Sequence, residues 1–232
     1  MLLKETLTEE EGLGDGEGKS YHKAVFRSFT VLPLSSNDLV VTKENFICRS
    51  RYLSLNLRFL TFPNLRQTYD YDCGATVVQA VLAYYGIHIR KDHIMKIAGT
   101  SKRDGTSLSG ILKVLKKQGL KYQARKMEIS EVKKFLDRNI PVILDLQAWS
   151  GKKVLNWGKH WQDGHYVVAI GYDQKKLYFE DPFSFKRTFL GYEELFQRWH
   201  DQDARGRKYF QLGIAVYGKK TVFKFNNVEQ MG

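Results

Sequence analysis

Gln67-Thr68-Tyr69-Asp70-Tyr71-Asp72-Cys73-Gly74-Ala75-Thr76 opens the best-patterned part of the chain. A helical pattern runs from Cys73 to Tyr85, and Gly86 supplies the stop. Cys73 therefore stands in a first helical turn, where unsatisfied backbone N–H groups and the helix dipole favour a thiolate, the nucleophilic form. A helix N-terminus contributes to lowering a cysteine pKa from ~8.5, and a partner imidazole normally completes the activation. The competing reading is a buried structural cysteine, because a free Cys behaves as a small hydrophobe. Two neighbours favour the nucleophile: Gly74 leaves space beside the sulfur, and the loop carrying Gln67 can return its amide to the site. The backbone N–H of Cys73 and that amide would then form the donor pair an acyl-transfer oxyanion needs.

Outward from this segment, helical signals cover Asp92–Ala98, Leu108–Gln118 and about Ser130–Arg138. In the second of these, Thr106 or Ser107 can cap the start, Leu108, Ile111, Leu112 and Leu115 share one face, and Gly119 suits the left-handed stop. Strand signals follow over Pro141–Leu146, His165–Gly171, Leu177–Asp181 and Tyr209–Val216, with a short helix at Tyr192–Trp199. Helices first and an antiparallel sheet second predict an α+β arrangement rather than a βαβ repeat.

Six histidines compete for the role of base. His22 lies in a poorly patterned region, His88 and His93 flank the Asp92 helix, and His200 ends a surface-like helix. His160 sits in a Trp- and Lys-rich loop. His165 differs: it follows Gly164 and opens the apolar strand Tyr166-Val167-Val168-Ala169-Ile170, a rigid element able to hold an imidazole at a sheet end. The third group should accept the imidazole N–H and fix its tautomer. Asp181 closes the next strand, and Pro182 stops that strand at the same sheet end if the two form a hairpin. The plain alternatives are a structural histidine and an ordinary Asp-Pro turn. Parity sharpens the test: His165 opposite Asp181 requires a connecting loop of three or five residues, unless a bulge restores the register. Glu180 is expected on the opposite face.

The 232 residues suffice for one domain with an appendage, and 43% hydrophobic with 13% aromatic residues exclude a disordered chain. No run approaches the ~18 apolar residues of a membrane span, and the acidic start lacks the features of a secretory signal, so a cytoplasmic protein is expected. Two cysteines, Cys48 and Cys73, are too few for a disulfide framework and lack zinc-site spacing. The net charge of +12 raises the question of nucleic acid. Its basic residues are scattered, and Lys113, Lys116, Lys117 and Lys121 read as a solvated helix face, so no nucleic acid partner is expected. Residues 1–20 read as a disordered acidic tail, 21–62 as an extension of unknown role with strand-like alternation at Leu53, Leu55, Leu57 and Phe59, 63–218 as the catalytic domain and 219–232 as a tail.

The sequence resembles the bacteriocin-processing cysteine peptidases, the double-glycine leader peptidases usually found at the N-terminus of export transporters. The likeness covers about Gln67 to Gly218 and rests on Asp72-Cys73-Gly74-Ala75, Tyr84-Tyr85-Gly86, Gly105-Thr106-Ser107, Ile140-Pro141-Val142-Ile143, Gly164-His165-Tyr166-Val167-Val168 and Asp181-Pro182. It implies a papain-like fold, with N-terminal helices packed on a C-terminal antiparallel sheet, and peptide cleavage after a Gly-Gly pair. By that likeness Cys73, His165 and Asp181 match the triad and Gln67 the oxyanion residue, with no metal or organic cofactor. The partners implied are a peptide or protein substrate and a separate export transporter, since membrane helices and a nucleotide-binding domain are lacking here and self-coupled export is not expected. Residues 148–162 look like an insertion, expected to form a mobile flap; the alternative is a surface loop whose tryptophans pack on the sheet. An acyltransferase using the same triad and a noncatalytic peptide-binding module are the competing functions.

Overall fold

A computed structural model describes residues 58–224, 226 and 230, together with two strands nearer the N-terminus. Those strands, β1 (Leu3–Thr8) and β2 (Phe26–Val31), pair antiparallel and belong to a separate compact unit, residues 1–51. Strand β1 falls within the stretch 1–20 read as an acidic tail; the rest of that stretch, Cys48, and the alternating positions Leu53, Leu55 and Leu57 lie outside the described residues.

The second unit, residues 52–232, carries the cysteine. It runs β3 (Arg58–Phe59), α1 (Cys73–Tyr84), α2 (Lys91–Ala98), α3 (Leu108–Lys117), β4 (Lys121–Lys126), α4 (Ile129–Asp137), β5 (Val142–Gln147), β6 (Gly164–Tyr172), β7 (Lys176–Glu180), β8 (Thr188–Gly191), α5 (Tyr192–Arg198), β9 (His200–Gln202), β10 (Lys208–Phe210) and β11 (Leu212–Tyr217). A sheet in the order β4-β11-β5-β6-β7-β8, with β3 added to β6, is the scaffold. Every residue of β5 is buried, so both faces at the centre of the sheet are covered. Helix α1 packs against β6 and, with α2 and α3, forms one helical group; α4 covers β5, β6 and β11. This is the expected mixed α+β fold.

Local chemistry explains the elements. Ser107 caps α3 by accepting from the Gly110 N–H at 3.1 Å, and Gly119 follows with φ +70. The strand expected over Tyr209–Val216 is broken, because Gln211 takes φ +54 and separates β10, which pairs β9, from β11, which pairs β4 and β5. Leu60 and Phe62, just ahead of residue 63, are core residues.

The β6–β7 hairpin differs from its expected register. Tyr172 pairs with Leu177, so an even number of residues lies between the two, where an odd number, from a three- or five-residue loop, was expected. A bulge between Ala169 and Gly171 then shifts the ladder, and beyond it Val168 pairs with Glu180. Continuing that register puts Val167 opposite Asp181, so His165 and Asp181 are two residues out of line but share a face. The extra residue, Ile170, is what reconciles an even loop with that shared face.

Candidate active site

Cys73 is the first residue of α1 and is buried. Its placement depends on Asp72, which is fully buried and offers no side-chain cap to the helix. The Asp72 carboxylate instead accepts from the Thr68 N–H, at 3.2 and 3.3 Å to its two oxygens, and faces Lys91 Nζ at 3.0 Å. Lys91 also donates to Thr68 Oγ1 at 2.7 Å and to the Arg66 carbonyl at 3.2 Å. One ion pair thus staples the 66–72 loop to α2. Gly74 serves close packing rather than space beside the sulfur: a Cβ there would lie 2.7 Å from Thr106 Cβ and 3.1 Å from Tyr166 Cδ2.

His165 enters at the start of β6 and is buried. Its Nε2 lies 2.9 Å from Asp181 Oδ1, which leaves Nδ1 free to serve Cys73, a neighbour that also raises the ring's pKa. Burial alone would lower the imidazole pKa, but the bond to Asp181 and the nearby Cys73 outweigh it and hold the ring at about 9. Asp181 collects four donors: His165 and the Phe183 N–H at 2.9 Å on Oδ1, Trp149 Nε1 at 3.0 Å and Thr188 Oγ1 at 3.2 Å on Oδ2. Burial pushes this carboxyl up, and the His165, Phe183 and Trp149 bonds more than reverse it, so Asp181 stays below the ordinary carboxylate range. Glu180 faces away and pairs with Arg66 at 2.8 Å.

The Gln67 segment reaches the same place, since its backbone N–H donates to the Pro182 carbonyl at 2.9 Å. Its side-chain Nε2 donates to the Tyr69 carbonyl at 3.1 Å, while Oε1 is buried without a partner. Of the other histidines, His160 pairs with Asp163 at 2.6 Å. His200 is buried in β9 against the His160 carbonyl at 2.7 Å, not on a helix surface.

Trp149 was expected only as part of the 148–162 insertion, not as a partner of Asp181. It has φ +59, a conformation that bulky side chains rarely adopt, and its ring lies 4.9 Å from that of Phe183. Strain of this kind persists where the surroundings over-determine it, here through the indole bond to Asp181. The insertion's other tryptophans are engaged too: Trp157 lies 3.6 Å from the Arg198 guanidinium and Trp161 4.3 Å from the His200 ring. A cavity of about 570 Å³ opens beside Asp181, with Leu146, Val167, Phe179 and Leu190 as apolar walls.

A cysteine at a helix start, beside a buried imidazole that is oriented by a buried carboxylate, is the geometry of thiol-dependent acyl transfer. Residues 61–202, more than half of the chain, match the profile of the peptidase C39 family. The chain belongs to the peptidase C39 family. It is therefore a cysteine peptidase. One solved C39-like structure shares the fold, and two others are similar. A putative C39-like peptidase from Bacillus anthracis aligns with a TM-score of 0.51 at 17% identity, covering 71% of this chain and 99% of that one. The peptidase domain of Streptococcus ComA, a bifunctional ABC transporter involved in quorum sensing, gives 0.49 at 24%, covering 67% and 97%. A double-glycine-motif protease from an AMS/PCAT transporter, solved with a leader peptide, gives 0.49 at 23%, covering 69% and 94%. No curated protein matches the C39 peptidase described here. Among its described residues no helix is long and apolar enough to cross a membrane, and no group of three His, Cys, Asp or Glu is placed to hold a metal ion.

Proposed function

We propose that this C39 peptidase hydrolyses a peptide or protein through a thioester on Cys73, with His165 as general base and acid, Asp181 as its orienting group, and the Cys73 N–H with the Gln67 amide as oxyanion donors. The observation that carries the reading is the buried imidazole bonded to Asp181 at 2.9 Å, with Cys73 close enough to help raise its pKa. The thiolate attacks the scissile carbonyl and the negative charge passes to its oxygen, near the first N–H of α1. The His165 proton goes to the departing amine. Water then attacks the thioester and gives its proton back to the imidazole. Gln67 Nε2 carries two N–H bonds; one goes to the Tyr69 carbonyl and the second can donate to the oxyanion. The first substrate to test is a leader ending in Gly-Gly, supplied in concert with a separate export transporter, as the family resemblance implies.

The test pairs the wild type with Cys73→Ala on a peptide library that includes Gly-Gly leaders. Cleavage by the wild type alone, declining as pH rises through about 9 when His165 loses the proton it donates, is the expected result. Added amine would divert product only for an acyltransferase. No cleavage by a correctly folded protein would remove the reading, whether or not Cys73 is alkylated at neutral pH.

Trp149→Phe keeps the ring contact but takes a donor from the buried Asp181. A hydrogen bond to a charged group contributes about 1.5–3 kcal/mol, and Thr188 remains on the same oxygen, so a loss of about 1.5 kcal/mol is expected. Urea denaturation measures it; unchanged stability would mean the indole is a bystander.

A further inference from the structure

Beneath the start of β6, on the face opposite His165, lies an acid pair that the proposed reaction does not use. Asp145 is the fourth residue of β5, is 3% exposed, and its Oδ1 has no hydrogen-bond donor. The polar groups that face it are Asp201 from β9, the Tyr166 hydroxyl from β6 and Cys73 from α1. Asp201 accepts from Gln147 Nε2 at 2.8 Å and also has His200 and the Gln202 N–H beside it. Gln147, fully buried, further donates to the His200 carbonyl at 3.2 Å and accepts from the Asp163 N–H at 3.0 Å.

Register ties this cluster to the imidazole. Gln147 pairs with Gly164, Leu146 with His165 and Asp145 with Tyr166, so the cluster grips the ladder on both sides of His165. Gly164 has no positive φ to explain it; what excludes a side chain is Asp201, whose Oδ2 would lie 2.3 Å from a Cβ there. Two facing carboxylates, one buried and one half-buried, disfavour ionising together. Burial and the facing carboxylate push Asp145 well above the ordinary range, and burial raises Asp201 as well. A proton on Asp145 would also remove the orphan, because the carboxylic acid can donate where the carboxylate cannot.

We propose that Asp145 and Asp201 share one proton, and that this acid–carboxylate bridge from β5 to β9 is a positioning device holding Gly164 and His165 in register for Cys73. It rests on the peptidase reading only for its purpose, not for the existence of the bridge. Charge is conserved across the informative variants. The pair carries one negative charge in the wild type, and Asp201 alone carries it in Asp145→Asn and in Asp145→Leu. The amide of Asp145→Asn can still donate to Asp201, whereas leucine cannot. Any difference between these two variants therefore reports geometry, not field.

Two measurements test the proposal. Infrared spectra at neutral pH should contain a carboxylic-acid C=O band that Asp145→Asn removes; ordinary surface carboxylates give none there. The rate of Cys73 alkylation by iodoacetamide, which needs no substrate, should fall about tenfold or more in Asp145→Leu and recover in Asp145→Asn, since ångström-scale misplacement of a catalytic partner is costly. Absence of the acid band overturns the shared proton. Equal alkylation of the folded leucine and asparagine variants overturns the positioning role. The infrared comparison needs only the wild type and the isosteric amide, so it decides the first point even if Asp145→Leu fails to fold. A wild type that alkylates quickly yet cleaves no peptide would sink the proposed function and leave the bridge standing.

Discussion

Cys73→Ala is expected to lower kcat by about 10⁴- to 10⁶-fold, His165→Ala by nearly as much, and the double variant by hardly more than the worse single one. The thiolate is the atom that bonds to substrate, so without it there is nothing for the imidazole to activate. Without the imidazole, the thiol has no partner within the buried start of α1 and the leaving amine has no acid. Each residue is useless without the other, and their losses cannot multiply. Both proteins should stay folded. Cys73→Ala deletes one sulfur atom at a helix start, and His165→Ala leaves Asp181 with Phe183, Trp149 and Thr188 as donors. Single-turnover cleavage with circular dichroism as the folding control checks this. A double variant that loses the product of the two single effects would separate Cys73 from His165 and dissolve the proposed pair. Asp181→Asn should be milder, because an amide oxygen can still accept from Nε2.

The candidates Cys73, His165 and Asp181 could be picked out because each stands at a boundary written in local residues. A helix opens at Cys73, a strand opens after Gly164, and Pro182 ends another. The mixed α+β order was legible for the same reason. The Ile170 bulge was not, since the apolar run from Tyr166 to Ile170 reads as one even strand. Asp145 sat inside what reads as an ordinary strand, and its partner Asp201 follows a helix read as surface; only the folded sheet brings β5 and β9 together. Trp149 was likewise invisible, because a backbone φ of +59 at tryptophan contradicts its own propensity and is imposed by the Asp181 contact. Chemistry that depends on sequence neighbours was readable, and chemistry that depends on long-range pairing was not.

That distinction gives the Asp72–Lys91 pair its weight, since the two residues are remote in sequence and yet fix the loop in front of the nucleophile. Lys91→Met is expected to destabilise the protein by about 3–5 kcal/mol, the usual cost of leaving a buried charge without its partner. Asp72 is fully buried and Lys91 is 16% exposed at its side chain, so removing the cation strands a carboxylate that water cannot reach. Its remaining donor would be the Thr68 N–H, at 3.2 and 3.3 Å. Loop 66–72 would lose the ammonium that bridges Arg66, Thr68 and Asp72, and with it the hold on Gln67, the proposed oxyanion donor. Adding Asp72→Asn to Lys91→Met removes the stranded charge while keeping an acceptor for Thr68, so the double variant should be more stable than Lys91→Met alone. Urea melts of the three variants measure this directly. If Lys91→Met costs under about 1 kcal/mol, the pair behaves as a solvated surface bridge. If the double variant is no better than the single one, the penalty comes from lost packing of the lysine stem and not from the uncompensated carboxylate.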